Sequence, residues 1–176
     1  METGYAVLYV KSVDEEKRIV EGIATTPTLD RVGDSVDPMG ATFRDSVPLM
    51  LYHERNLPVG NVKFGKPTRK GIPFRGQIPK VAEPGTVRDR VDEAWHSLKY
   101  GLIGAVSIGF NVIEDAVERI ESGLKFLKYE ILELSLVPIP ANPDAVITGI
   151  KSIDSEIRAA SGRKSTAVAG NSKRSK

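Results

Sequence analysis

The sequence predicts a mainly β domain of the α+β kind: a closed or nearly closed antiparallel barrel flanked by helices. Three observations lead there. Six or seven strand-length segments are rich in β-branched, aromatic and leucine residues, with Gly, Pro, Asn or Asp between them. One segment of helical period interrupts the strand series. The 176 residues, 40% hydrophobic and 27% charged, carry enough apolar material for one core. A long antiparallel series is most stable when it closes on itself, and a helix inside the order then packs outside.

The elements follow in order. "GYAVLYVK" (4–11) and "RIVEGIAT" (18–25) read as a hairpin around the polar turn "SVDEEK". Thr26 to Phe43 is a long connection rich in Pro, Gly and Asp, and such loops are usually functional or mobile. Its Asp30, Asp34 and Asp37 match no calcium-loop spacing, so turn and capping chemistry is the expectation and no metal is assigned. Val47 to His53 is a short apolar strand ending in a histidine. Two more strands flank the turn "PTRKG". From Pro84 to Tyr100, Val87, Val91, Ala94, Trp95 and Leu98 recur at 3.6-residue spacing, which predicts a helix stopped by Gly101. "LIGAVSIGFNVIE" and "LKFLKYEILELSLVP" are the two strongest strands, and "ANPDAVITGIK" predicts a short helix opened at Asn142.

Composition bounds the function. No apolar run approaches the roughly 20 residues of a membrane helix. The start "METGYAVLYVKSVDEEKR" lacks a basic region followed by an apolar one, so no signal peptide is expected. With no cysteine, disulfides, zinc–thiolate sites and thiol nucleophiles are excluded, and a reducing compartment fits. Six of the 25 basic residues lie between Arg158 and Lys176, a stretch without acids; residues 1–157 keep 19 basic against 23 acidic side chains. The basic character therefore belongs to a tail, and a specific nucleic-acid-binding domain is disfavoured. The organisation expected is a domain over 1–152 and a basic, disordered tail over 153–176.

Three polar residues stand where apolar ones are expected. His53 ends a buried-looking strand; alone, it reads as a solvated strand-end histidine. Ser107 lies among Gly104, Ala105 and Gly109, with open space above it; alone, it reads as a serine bonded to a neighbouring carbonyl. Glu133 sits in the apolar run "ILELSLV", where a carboxylate is costly unless paired, an arginine being one partner that would serve. Alternation puts Leu132, Leu134 and Leu136 on the core face, and Glu133 with Tyr129, Ile131, Ser135 and Val137 on the other. His96 points away from the apolar stripe of its helix. A serine needs a base to take its proton, and the base needs a third group to orient it and stabilise its cation. Ser107, His53 and Glu133 have the chemistry for those roles and lie on separate strands.

The segments "GDSVDPMGATF", "LMLYHERNLPVGNV", "LIGAVSIGF" and "LELSLVPIPANPDA", in that order from about Gly22 to Ala145, resemble the HK97-type prohead (capsid maturation) proteases of tailed bacteriophages. That family is similar in fold to the herpesvirus assemblins, β-barrel proteases ringed by helices, which use histidine, serine and a second histidine in that chain order. The assemblin segment "HVSLC" is matched here by "ELSLV", with Glu133 in the histidine's place. The resemblance thus implies His53 as base, Ser107 as nucleophile and Glu133 as the orienting residue. It implies no cofactor. The assemblin arginine pair that stabilises the oxyanion is absent, "PIPANP" standing there instead. The implied function is a serine endopeptidase that cuts scaffold, or the scaffolding region of the major capsid protein, inside the immature capsid in the host cytoplasm. Self-cleavage and self-association would accompany it. The competing expectations are a non-catalytic capsid- or scaffold-binding barrel and a small-ligand-binding barrel.

Overall fold

The structure, a computed structural model, describes residues 17–113 and 115–149. The first strand of the expected hairpin and the basic tail lie outside them. The elements are β1 (Ile19–Thr25), β2 (Ser35–Val36), β3 (Ala41–Phe43), β4 (Val47–Leu51), β5 (Pro58–Phe64), β6 (Ile72–Gln77), α1 (Thr86–Lys99), β7 (Ala105–Val112), β8 (Val117–Arg119), β9 (Leu124–Phe126), β10 (Tyr129–Val137) and β11 (Ile147–Gly149). The mainly β class is as the sequence predicts. One sheet of eight strands runs β11-β1-β6-β5-β4-β10-β3, with β7 along the other side of β10; β2, β9 and β8 form a small second sheet.

The closed antiparallel barrel needs correction on two points. First, β10 pairs in parallel with both β3 and β4, so the sheet is mixed. Second, the sheet curls without closing. The segment before β11 joins its two ends: the Ile23 N–H donates to the Val146 carbonyl at 3.0 Å, and the Val106 N–H to the Ala145 carbonyl at 3.1 Å. Among the described residues these single bridges touch β7 only at its start. Beyond the bridge β7 ladders with β10 alone among the described residues.

One α-helix is described, rather than several. Its buried stripe is Val91, Ala94, Trp95 and Leu98, whereas Val87 is exposed, so the apolar face starts one turn later than its period implied. Gly101, at φ 73°, ends it in the left-handed conformation that glycine adopts without a Cβ penalty. The stripe packs on a core that includes Val20, Leu49, Val62, Leu134 and Leu136. Burying each such leucine or valine contributes about 1.5–3 kcal/mol. The short helix expected at Asn142 is a turn followed by β11. The buried Asn142 side chain donates to the Thr26 carbonyl and accepts from the Asp144 N–H, both at 2.9 Å, pinning the 26–43 loop to this turn. In that loop Asp30 and Asp37 accept nearby backbone N–H groups, as turn chemistry requires, whereas Asp34 accepts the N–H of the distant Leu124 and ties the loop to β9.

The face assignment of β10 also changes. Tyr129 and Ile131 are buried, as are Leu134 and Leu136, while Leu132 is 41% exposed. Ile131 pairs with Phe110 and Glu133 with Gly109, so Leu132 is an extra residue: a β-bulge. Upstream of it odd-numbered side chains enter the core; downstream even-numbered ones do. Glu133 therefore shares its face with Ser135 and Val137 but not with Tyr129 and Ile131. With unbroken alternation, its carboxylate would follow Ile131 into the core.

Candidate active site

The bulge delivers Glu133 to a face where β7 supplies Ala105, Ser107 and Gly109. The register sets Glu133 opposite Gly109 and Ser135 opposite Ser107. Side chains directly opposite have Cβ atoms about 4.5–5.5 Å apart, so Ser107 lies beside Ser135 and diagonal to Glu133. Gly109 leaves the space into which the glutamate folds: a Cβ built there would lie 2.1 Å from Glu133 Oε1. Any larger residue at 109 would displace the carboxylate.

His53 arrives from the other side of β10. The chain leaves β4 through Tyr52 and His53, both left-handed at φ 55° and 61°. This conformation is uncommon for residues other than glycine and must be held by its surroundings. The Tyr52 N–H donates to the Leu136 carbonyl at 3.1 Å, and the His53 N–H to Ser135 Oγ at 3.0 Å. The imidazole then meets the carboxylate, with Nδ1 2.6 Å from Glu133 Oε1. The second carboxylate oxygen, Oε2, accepts from the Ser135 hydroxyl at 2.8 Å. The partner of Glu133 is thus an imidazole and a hydroxyl, not an arginine. Its hydrogen bond to Glu133 raises the His53 pKa above the ordinary imidazole value, partial burial pulls it back, and the carboxylate charge adds to the rise.

With Nδ1 engaged, Nε2 is the nitrogen left to exchange a proton. Ser107 is 7% exposed, and among the described residues its hydroxyl makes no hydrogen bond, neither to His53 nor to a neighbouring carbonyl. It borders a pocket of about 60 Å³ that Thr25, Asp34, Ile108, Phe110 and Asn142 also line, and that His53 and Glu133 do not reach. The structure thus brings His53 and Glu133 into contact and places Ser107 on the same face, one register pair away. His96 is exposed on α1 and takes no part. The sequence reading put Ser135 on the Glu133 face without giving it a function. The signal available was the Glu-x-Ser spacing, which sets a hydroxyl two residues from the carboxylate on one side of a strand.

Comparison with known proteins bears on what this arrangement is. Residues 3–158 match the model of the caudovirus prohead serine proteases. The chain belongs to that family. It is 49% identical over 166 residues to a capsid polyprotein of Pseudomonas phage PAJU2, a match covering 93% of this chain and 25% of the polyprotein. The chain thus spans about a quarter of that relative's length. It is 24% identical over 157 residues to the prohead protease of Escherichia phage T5, covering 83% of this chain and 71% of that protein. With the prohead protease of Enterobacteria phage HK97 it shares 28% identity over 151 residues, covering 80% and 64%. In this prohead protease family member, the contact between His53 and Glu133 holds an imidazole and a carboxylate on the face of the sheet where the neighbouring strand sets a serine among small residues.

Proposed function

We propose that this chain is a serine endopeptidase in which Ser107 is the nucleophile, His53 the base and Glu133 the orienting carboxylate. The observation that carries the reading is the His53–Glu133 contact, which leaves Nε2 as the proton acceptor on the face that holds Ser107. The Ser107 oxygen attacks the peptide carbonyl as its proton passes to His53 Nε2, and Glu133 stabilises the imidazolium. That proton then goes to the leaving amine, and water, activated by the same imidazole, releases the acyl chain. Hydrogen bonds in such sites are often long before substrate binds, which fits the unpaired hydroxyl of Ser107. Backbone N–H groups near Ser107 are the natural oxyanion donors.

The substrate class we propose is scaffold, or the scaffolding region of the major capsid protein, cut inside the immature capsid. Family membership supports this. The capsid polyprotein containing a region half identical to this chain supports self-cleavage as well. The test is a fluorophosphonate, which phosphonylates activated serines, with the adduct located by peptide mass spectrometry. The reading requires an adduct on Ser107 that is lost in His53→Ala. Cleavage of capsid protein by purified Ser107→Ala at the wild-type rate would remove Ser107 as the nucleophile, and a wild-type chain that neither labels nor cleaves but still binds capsid protein would instead be the non-catalytic binding barrel.

A further inference from the structure

Ser135 is fully buried, at 0% exposure. Its one proton goes to Glu133 Oε2 at 2.8 Å, and its oxygen accepts the His53 N–H at 3.0 Å. One hydroxyl therefore touches both the carboxylate and the main chain of the histidine that meets it. The turn it holds is the left-handed pair Tyr52–His53, tied to β10 by this bond and by the Tyr52 N–H to the Leu136 carbonyl. Substitution by alanine would leave a part-buried carboxylate oxygen and a part-buried N–H without these partners.

We propose that Ser135 is a positioning residue: its hydroxyl joins the left-handed turn carrying His53 and the carboxylate of Glu133 into one rigid unit, fixing where the imidazole sits. Its effect on catalysis rests on the peptidase reading above. A second nucleophile is not what the geometry describes, since the Ser135 proton is committed to Glu133 and its oxygen is sealed from solvent. The charged group bearing on the His53 ring is Glu133. Glu54 and Arg55, in the same turn, are exposed, and β7 contributes the uncharged Ala105, Ser107, Gly109 and Asn111 to this face.

The experiment uses the full chain as wild type, Ser135→Ala and Ser135→Cys. Cysteine nearly preserves the volume but is a weak donor and acceptor, which separates packing from hydrogen bonding. Two quantities are measured: the fluorophosphonate labelling rate at Ser107, resolved into kinact and KI, and the His53 titration by NMR. His96, the other histidine of the chain, serves as internal reference. Losing a hydrogen bond to a charged group should lower kinact about 10- to 100-fold in both variants, with KI little changed. The His53 titration should move to higher pH while that of His96 stays, because a carboxylate stripped of its hydroxyl donor holds the imidazolium more tightly. Wild-type kinact and an unmoved His53 titration in Ser135→Cys would overturn the proposal, even if the melting temperature fell. So would an adduct on Ser135 itself. If the wild type takes no label, the peptidase reading fails, and the His53 titration alone decides: a shift upholds Ser135 as the positioning group, and no shift removes it.

Discussion

Ser107 and Ser135 are the same residue type, opposite each other in register on adjacent strands, on one face of one sheet. Their environments differ in every other respect. Ser135, on the central strand β10, is sealed and spends both donor and acceptor capacity on Glu133 and His53. Ser107 lies on the strand whose far side, among the described residues, is unpaired beyond a single bridge; among those residues its hydroxyl is also unbonded, and a pocket lies beside it. A serine's chemistry is thus set by its position in the sheet. The hydroxyl in the middle becomes scaffold, and the one at the margin stays available.

The contrast breaks most completely at Ser107. Ser107→Ala should abolish labelling and lower cleavage by about 10⁴- to 10⁶-fold, with a melting temperature close to wild type because no hydrogen bond is lost. His53→Ala should be about as damaging, and the double variant little worse, since such residues act as a unit. Glu133→Gln should cost about 10⁴-fold by favouring the wrong imidazole tautomer. If Glu133→Gln were fully active and Glu54→Gln inactive, the acid would be misassigned. Next is Gly109→Ala. Its new Cβ occupies the space of Glu133 Oε1, so the carboxylate must shift, and a displacement of about 1 Å can cost around 100-fold. Kinetics at wild-type level in that variant, with a crystal structure showing Glu133 unmoved, would refute the cradle.

The pH dependence sharpens the comparison at smaller amplitude. As pH falls through the raised His53 pKa, the imidazole is protonated and can no longer accept the Ser107 proton. Labelling should drop about tenfold per pH unit below that value. Stability should move the opposite way. The folded pKa lies above the unfolded value of about 6.5, so the stabilisation from the protonated pair is complete below that value and is lost as pH rises through the folded pKa. His53 is 42% exposed, so the change in melting temperature should be small. Glu133→Gln should remove it.

Much of this was legible beforehand where local pattern and tertiary environment agree. The strands at β4 to β7, the helix ended by Gly101, and the family resemblance all rest on residues whose period or motif survives folding. The break in β10 was not legible, because Leu132 is apolar like its neighbours and nothing in "EILELS" marks it as the extra residue. Alternation carried across it put Tyr129 and Ile131 on the wrong face. The turn at Asn142 was also misread: Asn-Pro opens a helix or a tight turn equally well, and the bond from Asn142 to the distant Thr26 carbonyl decides between them. Closure was overestimated because strand number was visible and ladder length was not.

Taken by itself, the amino-acid sequence determined the class of the fold, the want of any thiol chemistry, and which three side chains to propose as a unit. The tertiary structure alone decided that His53 meets Glu133, that a bulge turns the carboxylate out of the core, and that of two facing serines one is bound and the other, among the described residues, is not. Periodicity is a property of neighbours along the chain. Register, bulges and contacts across strands depend on partners tens of residues away, and those become neighbours only when the sheet forms.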